Sequence, residues 1–349
     1  MKKIIIGLDV SKEKLDATAI KGIFSENGIE QLDYCVFENS SKGYRSLLSW
    51  SKKLLPGVGS EDILLCCERT GNYDKDMCNY IYAHGYDIWR ESALQIKLSS
   101  GVHKGKDDRA DSLMIAEYAM RNSDKAIIYT PRDSRIEDLR KLLVYRASLV
   151  ESKKQEKVRM ESMCTANDKS PAAKLLRRES RRNVERFNKG IKECENAIMD
   201  IIRENEDLKR TFNHIISVKS IGMINAIAFI VYTNNFTYFR TARQLASYYG
   251  VASFREKSGT SVNRRANVAF LSNHLLKSYI SQAAECAVRT NGIYKDYYDR
   301  LDLKGKHYGI ILNNVKNKLI HLVFSLVKND CDFEYNHEFI RTWKNTQTA

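Results

Sequence analysis

The sequence predicts an α/β domain followed by a mainly helical one, with a coiled-coil hairpin between them, and three observations carry that prediction. Two short, nearly continuous apolar runs, IIIGLDV at 4–10 and DILLCC at 62–67, have the length and composition of buried strands. From Pro131 the apolar residues switch to helical stripes, first Ile136, Leu139, Leu143 and Val150, then Phe187, Ile191, Cys194, Ile198 and Ile201 at alternating four- and three-residue steps. Past residue 211 apolar helical segments recur at about 223–232, 241–249, 267–290 and 309–328.

Taken in order, segments 13–20 and 34–38 read as hairpin partners of the first strand, opening the chain as a β-meander. A helix over about 40–54 ends at the Pro56-Gly57 break, and the buried strand at 62–67 leads to a helix near 73–84 and a strand at 86–91. Residues 1–130 are thus α/β, with strands leading and helices covering. The polar stretch 164–183 separates the two long helices of a hairpin over 131–210. Residues 211–330 form the helical domain, whose 250–265 loop is rich in Gly, Ser, Arg and Lys, and 331–349 reads as a weakly structured tail.

Composition narrows the function. With 349 residues, 43% of them hydrophobic, the chain can bury ordinary cores. The start, Met1-Lys2-Lys3 and then Ile4 to Ile6, turns acidic at Asp9, too soon for a signal peptide, and no apolar run reaches bilayer length, so a cytoplasmic protein without a membrane segment is expected. Eight cysteines are scattered without a CxxC pair, which argues against a disulfide framework and a thiolate zinc site; the seven histidines show no HxxxH or HExxH spacing. The net charge is +14, and it is unevenly placed: residues 1–150 carry 23 Lys+Arg against 22 Asp+Glu, whereas 151–190 carry 12 against 6 and 211–349 carry 18 against 9. Such an excess fits a polyanion, because counterion release from a phosphate backbone rewards clustered cations without sequence readout.

Four carboxylates stand out against this background. Asp9 lies near the end of the first strand and Glu68 directly after the apolar run 63–67, so both emerge at strand tips. Asp108 and Asp111 open the helical segment DDRADSLMIAEYA, where a three-residue step puts them on one face. Gathered together, these groups repel one another unless a cation neutralises them, and hard oxygen donors select Mg²⁺ or Mn²⁺, ions suited to phosphodiester chemistry. Asp107 is the alternative to Asp108, and Asp16 is a further polar candidate on the second strand.

These residues also carry a resemblance. GLDVSKEKLD at 7–16, CCERTGNY at 66–73 and KGKDDRADSLMIAEYA at 104–119 resemble, in order, the three motifs of the RuvC-like DEDD domain of the IS-one-ten transposase family, to which Piv-type DNA invertases and bridge-RNA-guided recombinases belong. The family's third motif usually reads Lys-Thr-Asp-x-x-Asp-Ala. Here it is Lys106-Asp107-Asp108-Arg109-Ala110-Asp111-Ser112, so the carboxylate spacing survives and Asp108 takes the ligand place. The resemblance implies an RNase H/RuvC-like fold for the N-terminal domain and a metal held by Asp9, Glu68, Asp108 and Asp111.

The basic loop contains Ser258 and Gly259, with Arg255 and Lys257 before them and Arg264 and Arg265 after. On residue types alone a Ser-Gly pair is an ordinary turn. However, SIGMINAIAF at 220–229, FTYF at 236–239, QLASYYGVASF at 244–254, KSGTS at 257–261 and NHLLKSYISQAA at 273–284 resemble the family's second, Tnp domain, which implies that Ser258 is a nucleophile, with Ser261 its competitor. The chain departs from the family at Lys219-Ser220-Ile221-Gly222, at Ala252 and Ser253, and at Leu271-Ser272-Asn273. Tyr248, Tyr249, Tyr294, Tyr297 and Tyr298 sit in apolar helices and read as core packing.

The leading expectation is a transposase or site-specific recombinase that acts on donor and target DNA through a phosphoserine. The resemblance further implies a structured guide RNA, a dimer or tetramer with active sites shared between protomers, and work at the nucleoid. The alternative is a metal-dependent nuclease of the Holliday-junction type that hydrolyses with water. A domesticated nucleic-acid-binding protein is disfavoured by the intact carboxylate set. An actin-like ATPase is disfavoured by the lack of a later glycine-rich phosphate loop.

Overall fold

A computed structural model of the chain describes residues 2–23, 28–69, 71, 73–165, 167–254, 257–258, 262–263, 267–268, 274–290 and 292–334, except 101–106. It divides into two compact units, Met1–Pro131 and Arg132–Ala349.

The first unit is built on a five-stranded sheet. Strands β1 (Ile4–Val10), β2 (Lys14–Lys21) and β3 (Gln31–Glu38) form an antiparallel meander, and β4 (Ile63–Glu68) and β5 (Asp87–Glu91) add in parallel on the other side, giving the order β3-β2-β1-β4-β5. Helices α1 (Ser41–Ser51), α2 (Lys75–Ala83), α3 (Ala93–Ser100) and α4 (Asp108–Arg121) complete it. This is the strand order of the RNase H/RuvC-like fold.

Because side chains alternate across a strand, β1 feeds two cores. Ile4, Ile6, Leu8 and Val10 join Leu47, Met77 and Ile81 of α1 and α2 on one face. Ile5 joins Leu64, Cys66, Ile115 and Ala119 on the other, beneath α4. Gly7 shares this second face. A β-carbon there would lie 2.1 Å from the Ser112 carbonyl oxygen and 2.4 Å from the Ala116 nitrogen, so only glycine lets the α4 backbone rest on the strand.

The second unit is helical. Two long helices, α5 (Ser134–Met163) and α6 (Pro171–Arg203), pack as an antiparallel pair, tied by Arg146 to Glu195 at 2.8 Å and Lys153 to Asn188 at 3.2 Å. Helices α7 (Glu206–Ile216), α8 (Met223–Thr233) and α9 (Ala242–Tyr248) follow. Four two-residue strands come next: β6 (Ser253–Phe254), β7 (Lys257–Ser258), β8 (Val262–Asn263) and β9 (Asn267–Val268). The unit closes with α10 (His274–Arg289), α11 (Ile293–Asp302) and α12 (Tyr308–Lys328).

Its core joins α8 and α12 with Ile136, Leu139 and Leu143 of α5 and Ile198 and Ile202 of α6. Helix α12 is long and apolar enough to cross a membrane, which the sequence reading did not anticipate; Val315, Leu319, Ile320 and Val323 are nonetheless fully buried in this core.

Four features differ from the sequence reading. Helix α6 begins at Pro171, inside the stretch read as a polar separator, with Ser170 capping the Ala173 N–H at 3.1 Å and proline in the first turn. The segment read as helix from 267 starts as β9, and the helix begins at His274. Helices α3, α7 and α11 were not anticipated, and the 250–265 loop carries β6 to β8. The tail expectation beyond residue 334 lies outside the described residues.

Candidate metal centre and serine loop

Sheet alternation and the seating of α4 build the site. Asp9 follows Ile5 and Gly7 on the α4 face of β1, and it is the one residue of the strand that is not fully buried. Asp16 stands opposite it on β2, in register Asp9↔Asp16. Glu68 ends β4 on the same face as Leu64 and Cys66, one step beyond the Leu8↔Cys67 pair. Helix α4 starts above them with Asp108 and Asp111 in its first turn.

Asp9, Asp108 and Asp111 each offer a carboxylate oxygen within 4.8 Å of the others. Glu68 falls outside that tight trio but close enough to act on Asp9. Burial first, and then the charges of Asp111, Asp108, Asp16 and Glu68, together raise the Asp9 carboxyl from 3.8 to about 6. The donor set is all oxygen and its charges repel, which fits a hard divalent cation.

Asp107 does other work. It caps α4, its carboxylate accepting the Arg109 N–H at 3.2 Å. Asp16 is buried and accepts a hydrogen bond from the Tyr34 hydroxyl at 2.6 Å. Lys14 bridges Asp108 at 2.6 Å and Asp16 at 3.1 Å, and both contacts raise its pKa. Sequence reasoning did not single out Lys14 or Tyr34. The signal for Lys14 lay in the turn before it, where the Ser11 hydroxyl accepts the Lys14 N–H at 3.2 Å and turns β2 back along β1. Glu91, at the end of β5 beside Glu68, was also missed; the Ser92 N–H, at 2.6 Å, and the Tyr118 hydroxyl, at 3.4 Å, donate to it.

A second group able to meet one ion, Cys67, Asp74 and Cys78, lies on the opposite face of the sheet. It is poorly suited to the task. Arg90 forms a two-pronged ion pair with the fully buried Asp74, and the contact with Cys78 and burial hold the Cys67 thiol well above its usual pKa.

Ser258 and Lys257 form β7, paired as Ser258↔Val262 and Lys257↔Asn263. Arg255, Ser261, Arg264 and Arg265 lie outside the described residues. The tyrosines read as core packing make ring and core contacts within the helical unit. Tyr249 is buried with its ring 5.1 Å from Phe229, Tyr248 lies 5.3 Å from Phe239, and Tyr294 and Tyr297 pack on the core. Tyr298 meets Tyr308 at 6.0 Å.

Comparison with known proteins places the chain. A family model for DEDD transposases of the IS110 type matches residues 6–166, and one for the IS116/IS110/IS902 transposase family matches 213–299. The pilin gene-inverting proteins of Moraxella bovis and Moraxella lacunata are each 21% identical over 340 residues, covering 96% of this chain and 98% of theirs. An uncharacterized 43.6 kDa protein of insertion element IS110 from Streptomyces coelicolor is 27% identical over 118 residues, 34% of this chain and 29% of that protein. Among solved structures, T. thermophilus RuvC in complex with a Holliday junction substrate aligns at a TM-score of 0.27 and 11% identity, over 36% of this chain and 99% of that one. With residues 6–166 and 213–299 matched by models of the same family and its length spanned by the two inverting proteins, the chain belongs to the IS110 family of transposases, enzymes that act on DNA.

Proposed function

We propose that the protein cuts and rejoins DNA through a phosphoester on Ser258, with Mg²⁺ or Mn²⁺ held by Asp9, Glu68, Asp108 and Asp111. The convergence of Asp9, Asp108 and Asp111 at the head of α4 is the observation that carries this reading. Bound there, a divalent ion supplies positive charge beside the scissile phosphate. Lys14 fixes Asp108 and pairs with Asp16, and Tyr34 orients Asp16 from the other side. In the cleavage step the Ser258 hydroxyl gives up its proton as its oxygen bonds to phosphorus, the bond from phosphorus to one deoxyribose oxygen breaks, and the departing sugar oxygen gains a proton in turn. Rejoining reverses those bonds with a new sugar hydroxyl.

In this reading residues 1–130 are the metal-binding domain, 131–210 a coiled-coil arm, and 211–330 the serine-bearing domain, with Arg255, Lys257, Arg264 and Arg265 gripping phosphates. The full-length similarity to proteins named for gene inversion supports site-specific rearrangement. A structured guide RNA, a dimer or tetramer with composite active sites, and a place in the cytoplasm at the nucleoid complete the proposal through family kinship.

Strand exchange by purified protein tests it: Ser258→Ala is expected to abolish both recombination and any protein-DNA adduct. The strand order and the carboxylates also suit a nuclease of the Holliday-junction type. Metal-dependent nicking without an adduct would establish that alternative.

A further inference from the structure

The outer surface of the α5–α6 pair is unused by the reading above, and residues 167–212 fall between the two family matches. Among the described residues, none between 144 and 197 joins the apolar core of the helical unit. Helix α6 buries Ala173, Ser180, Ile191 and Cys194. On the opposite side Lys174, Arg178, Arg181, Arg182, Lys189 and Lys192 point within about 60° of one direction, as a turn of 3.6 residues requires. All six are exposed, and the same sector holds only two acids, Glu185 and Glu193. Arg178 and Arg182 share Glu179, each at 3.0 Å, and Lys189 reaches Glu193 only at 3.9 Å. Lys174, Arg181 and Lys192 form no ion pair among the described residues.

This arrangement is unfavourable for an isolated helix. Lys174 and Arg178 are spaced i,i+4, Arg178 and Arg181 i,i+3, Arg178 and Arg182 i,i+4, and Lys189 and Lys192 i,i+3, and each such like-charge pair costs a few tenths of a kcal/mol. The first turn of α6 contains no acidic residue, and Lys174 stands just beyond it, near the positive end of the helix dipole. A polyanion relieves both effects at once. From Lys174 to Lys192 the stripe runs roughly 27 Å, matching about eight base steps of a duplex strand.

We propose that the outer face of α6 from Lys174 to Lys192 docks the phosphate backbone of duplex DNA flanking the strands that are recombined. This rests on the DNA-acting part of the reading above and not on Ser258 chemistry; loss of strand exchange in Ser258→Ala with duplex binding intact leaves it standing.

The test is duplex binding by the full chain across a salt series, comparing the wild type with a variant carrying Lys174→Gln, Arg178→Gln, Arg181→Gln and Lys192→Gln. The slope of log affinity against log salt is expected to fall by about 3, with a tenfold or greater loss of affinity at ~0.1 M salt and undiminished helicity. In the wild type, duplex DNA should also protect Lys174, Lys189 and Lys192 from amine-reactive labelling, a readout that does not depend on how the variant folds. Unchanged slope and unprotected lysines would overturn the proposal. So would a loss confined to structured RNA, or a change only in self-association.

Discussion

The two units hold their functional groups in different ways. In the α/β unit, carboxylates from three strands and one helix are fixed by backbone register: alternation puts Asp9, Asp16 and Glu68 on one face, and the contact of Gly7 with Ser112 and Ala116 seats Asp108 and Asp111 above them. In the helical unit, Ser258 rides on a two-residue strand, and the chain after α12 is tethered by side chains, His214 binding Asp332 at 2.7 Å and Asp330 at 3.0 Å. A metal centre needs several ligands held at fixed separations, whereas the nucleophile proposed at Ser258 needs only a short, lightly paired segment that can move with its phosphate.

The largest way to break that contrast is Gly7→Ala. The new methyl meets backbone at 2.1 and 2.4 Å, so α4 must lift from the sheet, at a cost of about 3 kcal/mol. The urea midpoint is expected to drop and Mn²⁺ affinity to fall with it. Wild-type metal affinity in the variant would mean that the contact of α4 with the sheet does not set the carboxylates.

A smaller effect sharpens the electrostatics. Asp9 binds its proton more tightly in the folded protein, with a pKa of about 6 against 3.8, so metal-free stability is greatest below the lower value and is lost as pH rises through the upper one. Asp9→Asn is expected to remove that decline and to stabilise the metal-free protein at pH 7 by about 1 kcal/mol, solvent screening holding down the gain, while weakening metal binding. Thermal melts without metal from pH 4 to pH 8 check it; a wild-type profile identical to the variant's would contradict the crowding of charge at Asp9.

The smallest effect belongs to the helical unit. Burial works against charge on His214, but Asp332 and Asp330 outweigh it and raise the imidazole above 6.5. The tether is therefore fully present below 6.5 and weakens as pH climbs through the raised value. His214→Gln is expected to lower the melting temperature at pH 6, by under ~1 kcal/mol, and less at pH 9. An equal loss at both pH values would assign His214 a packing role.

The same contrast explains what was legible in the sequence. Strands β1 and β4 are apolar runs ending in Asp9 and Glu68, and the DxxD spacing marks the head of α4, so the carboxylate positions could be read from local patterns. Tyr34 could not, because its role arises from strand pairing that brings Asp16 beside it, and the turn at Ser11 marks where Lys14 stands but not that it bridges Asp16 and Asp108. The start of α6 was obscured by its charge density, although Ser170 followed by Pro171 is a helix-start signal. The ties from His214 to Asp330 and Asp332 join residues 116 and 118 positions apart, which no local periodicity encodes.

The central claim, that an oxygen-ligand metal centre and a serine in another part of the chain perform one reaction, is tested most directly by trapping the protein on a nicked DNA substrate. The wild type is expected to form a denaturation-resistant adduct only with Mg²⁺ or Mn²⁺, Ser258→Ala to form none, and Asp9→Asn to lose at least a hundredfold in rate. An adduct that survives Ser258→Ala, or metal-dependent cleavage that never yields one, would contradict it.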